Sequence, residues 1–197
     1  MKRLTSTPPP RRPLFVEFGS QDTSQNLPRT AANKRPEHSF LRSFENSYLS
    51  RELGIAIAGR EFAVQGFGRA DLVWLAWTGS GAPEEFTAIT LKRRVRLTAI
   101  EAKVSDWRKG LQQAFRYRYF AHRSVLVLPR EKAAVAARFI GTFRKLHVAL
   151  WWFDTQTDRL RKWFTPRCAP PISSAALQRA IHLIESSLKL SQAAKRR

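Results

Sequence analysis

Between residues 94 and 153 the chain alternates two kinds of segment, and that alternation limits the folds open to it more than any other feature. Residues 94–103 carry apolar side chains at every second position, with Val95, Leu97 and Ala99 on one side, and a period of two marks a strand. From 106 to about 121 the apolar residues Trp107, Leu111, Ala114 and Phe115 recur at helical spacing. Val125-Leu126-Val127-Leu128 is a continuous apolar run closed by Pro129. A second helix is expected over about 131–146, and 148–153 is a further apolar strand. Such a strand–helix–strand–helix–strand succession needs crossover connections, which predict right-handed crossings and some parallel pairing in one sheet.

The flanks extend this unit. Leu41, Phe44, Tyr48 and Leu49 predict a helix over 39–53, with Ser39 as N-cap and Gly54 as stop. Residues 61–65 and 69–77 read as two strands joined at Gly66 and Gly68, followed by a loop from 78 to about 85. Residues 159–164 can return as an edge strand. Leu177, Ile181, Ile184 and Leu188 share one face of a last helix over 172–190. The prediction is an α/β fold, a mixed β-sheet flanked by helices. With 197 residues there is room for one compact domain. We divide it as a basic, Pro-rich and largely extended arm (1–37), a core (38–166) and a C-terminal helix with a basic tail (167–197). Within the arm, Leu14-Phe15-Val16-Glu17-Phe18 could dock on the domain or on a protein partner.

Lys and Arg number 35 against 15 Asp and Glu, a formal charge of +20, more than solubility asks of a domain this size. A polyanionic partner accounts for it, because phosphate contacts release condensed counterions. No membrane association is expected: no helix couples a basic face to a strongly apolar one, and the longest apolar runs have strand length. Cys168 is the only cysteine, which excludes an intramolecular disulfide and a cysteine-rich zinc site. With no apolar segment behind the basic N-terminus, a cytoplasmic location is expected.

Charges at the ends of otherwise apolar strands are the chemical clue, because their desolvation must be compensated. Asp71 interrupts the run Ala70-Asp71-Leu72-Val73-Trp74-Leu75-Ala76-Trp77. Glu101 and Lys103 follow Leu97-Thr98-Ala99-Ile100, in the register of Val95, Leu97 and Ala99. Two carboxylates near a buried surface repel one another unless a cation lies between them. Mg2+ suits such a pair, with Mn2+ as a substitute, since it takes one or two carboxylates and keeps waters for a phosphate. Lys103 beside it could orient or deprotonate a water, or neutralise charge developing on phosphorus. The bland alternatives are that Asp71 caps a bend or pairs with Arg69 or Arg96, and that Glu101 and Lys103 form an edge-strand ion pair.

Gly68-Arg69-Ala70-Asp71, then Glu101-Ala102-Lys103, then a helix bearing Gln113 and Tyr117 resemble the PD-(D/E)XK, or restriction-endonuclease-like, nuclease superfamily over residues 39–164. Ala70 stands where the family's nominal proline would be. The resemblance implies a restriction-endonuclease-like core and a metal-dependent endo- or exodeoxyribonuclease, acting alone or within a repair, mobile-element or defence assembly. It also implies metal ligation by Asp71, Glu101 and the carbonyl of Ala102, with Lys103 assisting the attacking water. A supporting first-helix acid is implied too, Glu45 or else Glu52, and Gln113 and Tyr117 share the site on one helix face.

Arg69, Arg108, Lys109, Arg116 and Arg118 are the candidate phosphate contacts beside that site. Arg93, Arg94 and Arg96 lie at the far end of the strand. The four histidines show no ligand spacing, and Trp151 and Trp152 read as packing residues rather than a base-stacking platform. DNA is the expected substrate, and a homodimer is compatible with double-strand cutting. A DNA-holding subunit without activity and an RNA-directed nuclease or binder remain open.

Overall fold

The computed structural model describes residues 14–17, 34–51, 56–77 and 95–194. Among them the order is β1 (Leu14–Glu17), α1 (Lys34–Arg51), β2 (Ala56–Val64), β3 (Gly68–Trp77), β4 (Val95–Ala102), α2 (Trp107–Tyr117), β5 (Arg123–Pro129), α3 (Arg130–Ala137), α4 (Ile140–Leu146), β6 (Val148–Asp154), β7 (Arg159–Phe164) and α5 (Ser174–Ala194). The strands form one seven-stranded sheet in sequential order, β1 to β7. β2, β3 and β4 are an antiparallel meander; β4, β5 and β6 run parallel; β7 returns antiparallel and β1 adds parallel to β2. This is the expected α/β arrangement, a mixed sheet flanked by helices, and no helix among the described residues is long and apolar enough to cross a membrane.

The central strands β4, β5 and β6 are largely apolar on both faces because both faces are covered. On one, Phe40, Leu41, Phe44 and Tyr48 of α1 pack over Ala58, Leu72, Trp74, Ile100, Val125 and Trp151. On the other, α5 sets Leu177, Ile181, Ile184 and Leu188 against Val73, Leu75, Leu97 and Ala99. The same face continues under α2, α3 and α4, where Trp107, Leu111, Ala133 and Phe143 meet Leu126, Leu128 and Leu150. Trp151 and Trp152 are buried, as packing residues should be.

Three expectations need correction. α1 begins at Lys34, so Ser39 lies inside it and is not its N-cap. Pro36 had suggested arm, yet proline is tolerated in a helix's first turn, where its missing N–H costs nothing. The helix expected over 131–146 is two, α3 and α4, broken at Phe139 (φ −109°, ψ 26°). The break lets Ala133, Ala136 and Phe143 all reach one layer, with Phe139 at 5.2 Å from Trp107. The core also reaches past its assigned boundaries, since β1 of the arm and α5 are both built into it. Gly54, Glu52, Arg93, Arg94, the loop over 78–85 and most of the arm lie outside the described residues.

What positions the site is strand direction. β4 runs parallel with β5 and β6, so its C-terminal end lies where parallel sheets commonly hold ligands. β3 is antiparallel to β4 and brings its N-terminal end to the same place.

Candidate active site

The pairing of Leu72 with Ile100 carries the register to Asp71 opposite Glu101, so two residues thirty apart in sequence become cross-strand neighbours. Alternation puts Asp71 on the face of Val73 and Leu75, and Glu101 on the face of Leu97 and Ala99, which is one and the same face. The backbone N–H of Ala102 donates to Asp71 Oδ2 at 2.8 Å. A strand residue's N–H and C=O emerge on one edge, so the Ala102 carbonyl also points toward Asp71. The N–H of Lys103 donates the opposite way, to Val127 O at 3.1 Å.

Lys103 Nζ lies 3.0 Å from Glu101 Oε1 and 3.8 Å from Glu37 Oε2. The Tyr117 hydroxyl lies 2.5 Å from Glu101 Oε2 and 2.6 Å from Arg69 O. A phenol has one proton, so it cannot donate to both acceptors at once. If it goes to the Arg69 carbonyl, Glu101 is satisfied by keeping its own proton. The electrostatics run the same way. Burial, followed by Glu101, pushes the Asp71 carboxyl up to about 8. Burial raises Glu101 against the pull of Lys103. Burial would lower Lys103, but Glu101 and Asp71 hold it above its ordinary value. Burial and Glu101 push the Tyr117 phenol far up. The locus therefore has a surplus of acid in a chain whose net charge is +20.

Two further acids deepen the surplus, and neither was foreseen. Glu37, placed in the arm by sequence, stands in the first turn of α1 beside Lys103. Glu61 sits on β2 between the pairs Arg60–Leu72 and Phe62–Ala70, hence opposite Asp71, and its charge raises Asp71. Its φ is 53°, a strained value for a residue with a Cβ and of a kind that gathers at functional sites. A third missed residue is Gly110. A Cβ there would meet Lys103 Cγ at 2.8 Å and Leu126 Cδ1 at 2.7 Å, so glycine alone lets α2 lie against the Lys103 stem. The Glu101-Ala102-Lys103 pattern followed by a helix carrying Gly seven residues after Lys103 was the available signal.

Not every expected member arrives. Glu45 is buried and bound by both Nε and Nη2 of Arg60, so it belongs to a separate ion pair and not to this site. Arg118 is also buried; it donates to Ala121 O at 2.7 Å and Pro170 O at 3.1 Å, and is no phosphate contact. The reason is that α2 ends at Tyr117, so Arg118 turns inward as the C-cap. Gln113 lies one turn before Tyr117, and its Oε1 is buried with no hydrogen-bond partner among the described residues. Arg108, Lys109 and Arg116 are exposed along α2. Arg108 lies over Trp107 at 4.6 Å. Arg69 is exposed and faces Glu61 at 3.3 Å.

Among the described residues no three His, Cys, Asp or Glu side chains cluster as a metal cage. The donor set that does converge is smaller: two carboxylates and the Ala102 carbonyl. It fits a hard divalent cation that keeps water in its remaining positions, and it lacks the soft or imidazole donors that zinc favours. Comparison with protein-family models, curated proteins and solved structures finds no match for this chain.

Proposed function

We propose that the chain is a divalent-metal-dependent nuclease of PD-(D/E)XK type that hydrolyses phosphodiester bonds in DNA. The observation that carries this reading is the convergence, in a chain of +20 charge, of Asp71 and Glu101 with Lys103 at adjacent strand ends. A buried acid and a half-buried one beside one lysine are unfavourable for folding alone. They are understandable as a seat for Mg2+ or Mn2+, with a basic exterior that gathers a polyanion.

Asp71, Glu101 and the Ala102 carbonyl would hold the ion, which when bound supplies Lewis acidity toward a phosphoryl oxygen and a more acidic water. The residues do the rest. Ala102 N–H fixes the Asp71 carboxylate, and Tyr117 fixes Glu101. Lys103 is held in its charged form, which suits it to orienting water and neutralising charge on the phosphate rather than to taking a proton. Gln113, one helical turn before Tyr117, has an acceptor oxygen without a partner among the described residues, and Glu37 limits the swing of Lys103. Arg69, Arg108, Lys109 and Arg116 are the phosphate contacts that remain once Arg118 is withdrawn.

The test is cleavage of plasmid and linear DNA by the purified chain with Mg2+ or Mn2+. Lys103→Ala should lower the rate on the order of a thousandfold while leaving DNA binding within a few-fold, and chelation should abolish cutting. A wild type that binds DNA and never cuts it would make the chain a holding subunit. Preference for RNA of matched length in competition would move the substrate to RNA.

A further inference from the structure

The sheet face that carries Asp71 and Glu101 continues under the first turn of α2. Glu101 pairs with Leu126 on β5, so the two share a face, and Trp107 of α2 packs there with Leu126 and Leu128. An exposed aromatic ring joins this layer. α3 and α4 break at Phe139, whose ring is 44% exposed. It lies 5.2 Å from Trp107 at an interplanar angle of 32°, and Trp107 lies in turn 6.1 Å from the buried Phe143. Arg108 lies over two of these rings, 4.6 Å from Trp107 and 5.5 Å from Phe139.

Packing explains Trp107 and Phe143, which are buried, and does not explain Phe139. A ring left nearly half exposed forgoes much of the apolar burial that would stabilise the fold. Here it is held in place by Trp107 and stands beside a guanidinium ordered by the same rings. A guanidinium stacked by its face keeps the N–H groups of its edge for a phosphate. A fixed ring next to such a cation suits a nucleotide: the base stacks on the ring and the phosphate meets the guanidinium. The base must be unpaired, because inside a duplex its faces are already covered by its neighbours. The exposed charges of α2 and α3 are Arg108, Lys109, Arg116, Arg130 and Lys132 against Glu131, which favours a polyanion over an apolar protein surface as the occupant.

We propose that Phe139, backed by Trp107 and Arg108, is a stacking site for an unpaired nucleobase, so that the strand offered to Asp71 and Glu101 is single-stranded or frayed where it crosses α2. This deepens the nuclease reading and rests on it for the reaction, though not for the binding. The path between the two places is short. Gly110 lies against the Lys103 stem, and Arg108 precedes it by two residues, a rise of about 3 Å. A helix with its side chains is about 10–12 Å across, so a strand passing over the first turn of α2 reaches from Lys103 to the ring within a few nucleotides. Intact duplex has no free base to offer and must do without the contact.

The experiment measures binding of a labelled oligothymidine of about 20 nucleotides, and of an abasic strand of equal length, by fluorescence anisotropy with the full chain and a chelator present so that nothing is cut. The two strands carry the same phosphates and differ in their bases. The wild type should bind the thymidine strand at least about fivefold more tightly. Phe139→Ala should bring that preference below about twofold, while leaving the abasic strand and the salt dependence nearly unchanged. Phe139→Tyr should keep the preference. Phe139→Leu, which keeps apolar bulk without an aromatic face, should lose it, and it carries the test if the alanine variant loses its circular dichroism. A wild type without the preference, a leucine variant that retains it, or equal losses for both strands would each overturn the stacking site. Failure of the wild type to cut DNA with Mg2+ would count against the nuclease reading alone, because this measurement reads binding without metal.

Discussion

Glu45 and Glu101 are buried almost equally, 2% and 1% exposed, yet they sit in opposite electrostatic situations. Glu45 has a dedicated partner: Arg60 meets both of its carboxylate oxygens, a fork-to-fork pairing that balances one charge with one charge. Glu101 shares Lys103 with Asp71 and Glu37, and three acids around one lysine cannot balance. Burial by itself thus distinguishes nothing. The sum of charge over the neighbourhood separates a carboxylate held for the fold from one held for a ligand, because an uncompensated buried charge persists only where something else offsets it.

The largest loss of stability should come from breaking the balanced pair. Glu45→Gln removes the carboxylate that Arg60 grips through both Nε and Nη2 and should cost about 3 kcal/mol in denaturant unfolding, with cleavage by the folded fraction unchanged. A loss of activity without loss of stability would instead restore Glu45 to the catalytic site.

A histidine offers a third solution to the same problem, surrender of the charge. His122 takes the Leu97 N–H on Nδ1 at 3.2 Å, while its backbone N–H donates to Leu97 O at 2.9 Å. Burial, with Arg96 and Arg118 nearby, lowers it from 6.5 to about 4. Protons therefore bind the unfolded chain first, so its contribution is intact above about pH 6.5 and declines as pH falls toward 4. The drop should be about 2 kcal/mol and should vanish in His122→Gln, as read from unfolding midpoints across that range.

Gly110→Ala probes the lone cation. The new methyl must displace Lys103 or Leu126, costing about 2 kcal/mol and lowering cleavage more than DNA binding. Unchanged stability would mean that α2 is not held against Lys103 as closely as its contacts imply.

The last effect has the opposite sign. In metal-free protein Asp71 keeps its proton to about pH 8 against 3.8 when unfolded, so its contribution is full below about pH 4 and is lost as pH rises through 8. Asp71→Asn should be neutral near pH 4 and stabilise by several kcal/mol, at most about 5, at pH 9, and added Mg2+ should stabilise the wild type alone. Stabilisation by Asp71→Asn at both pH values alike would remove the claim that like charges are in conflict here.

Much of this was legible in the chain, for local reasons. The strand and helix periods over 95–164 arise from which side chains each face must bury, and they yielded the elements and the parallel pairing. Asp71, Glu101 and Lys103 stood out because each ends or interrupts an apolar strand. The misreadings have a common origin. Helical phase placed Glu45 near the apolar face, where it is indeed buried, but phase says nothing about Arg60 lying across from it on β2. Extending α2 past Tyr117 kept Arg118 on an exposed face that ends one residue too soon. Reading Pro36 as arm hid Glu37.

Sequence alone therefore determined most of the strands and helices between 95 and 164 and which charges sit awkwardly within them, since both follow from the period of burial along one element. Only the tertiary structure decided which charges meet. The antiparallel return of β3 against β4 carries Asp71 to Glu101, the close approach of α2 at Gly110 seats Lys103, and the first turn of α1 brings Glu37 to it. Those meetings depend on strand direction and helix packing between distant segments, and no period within a single segment encodes them.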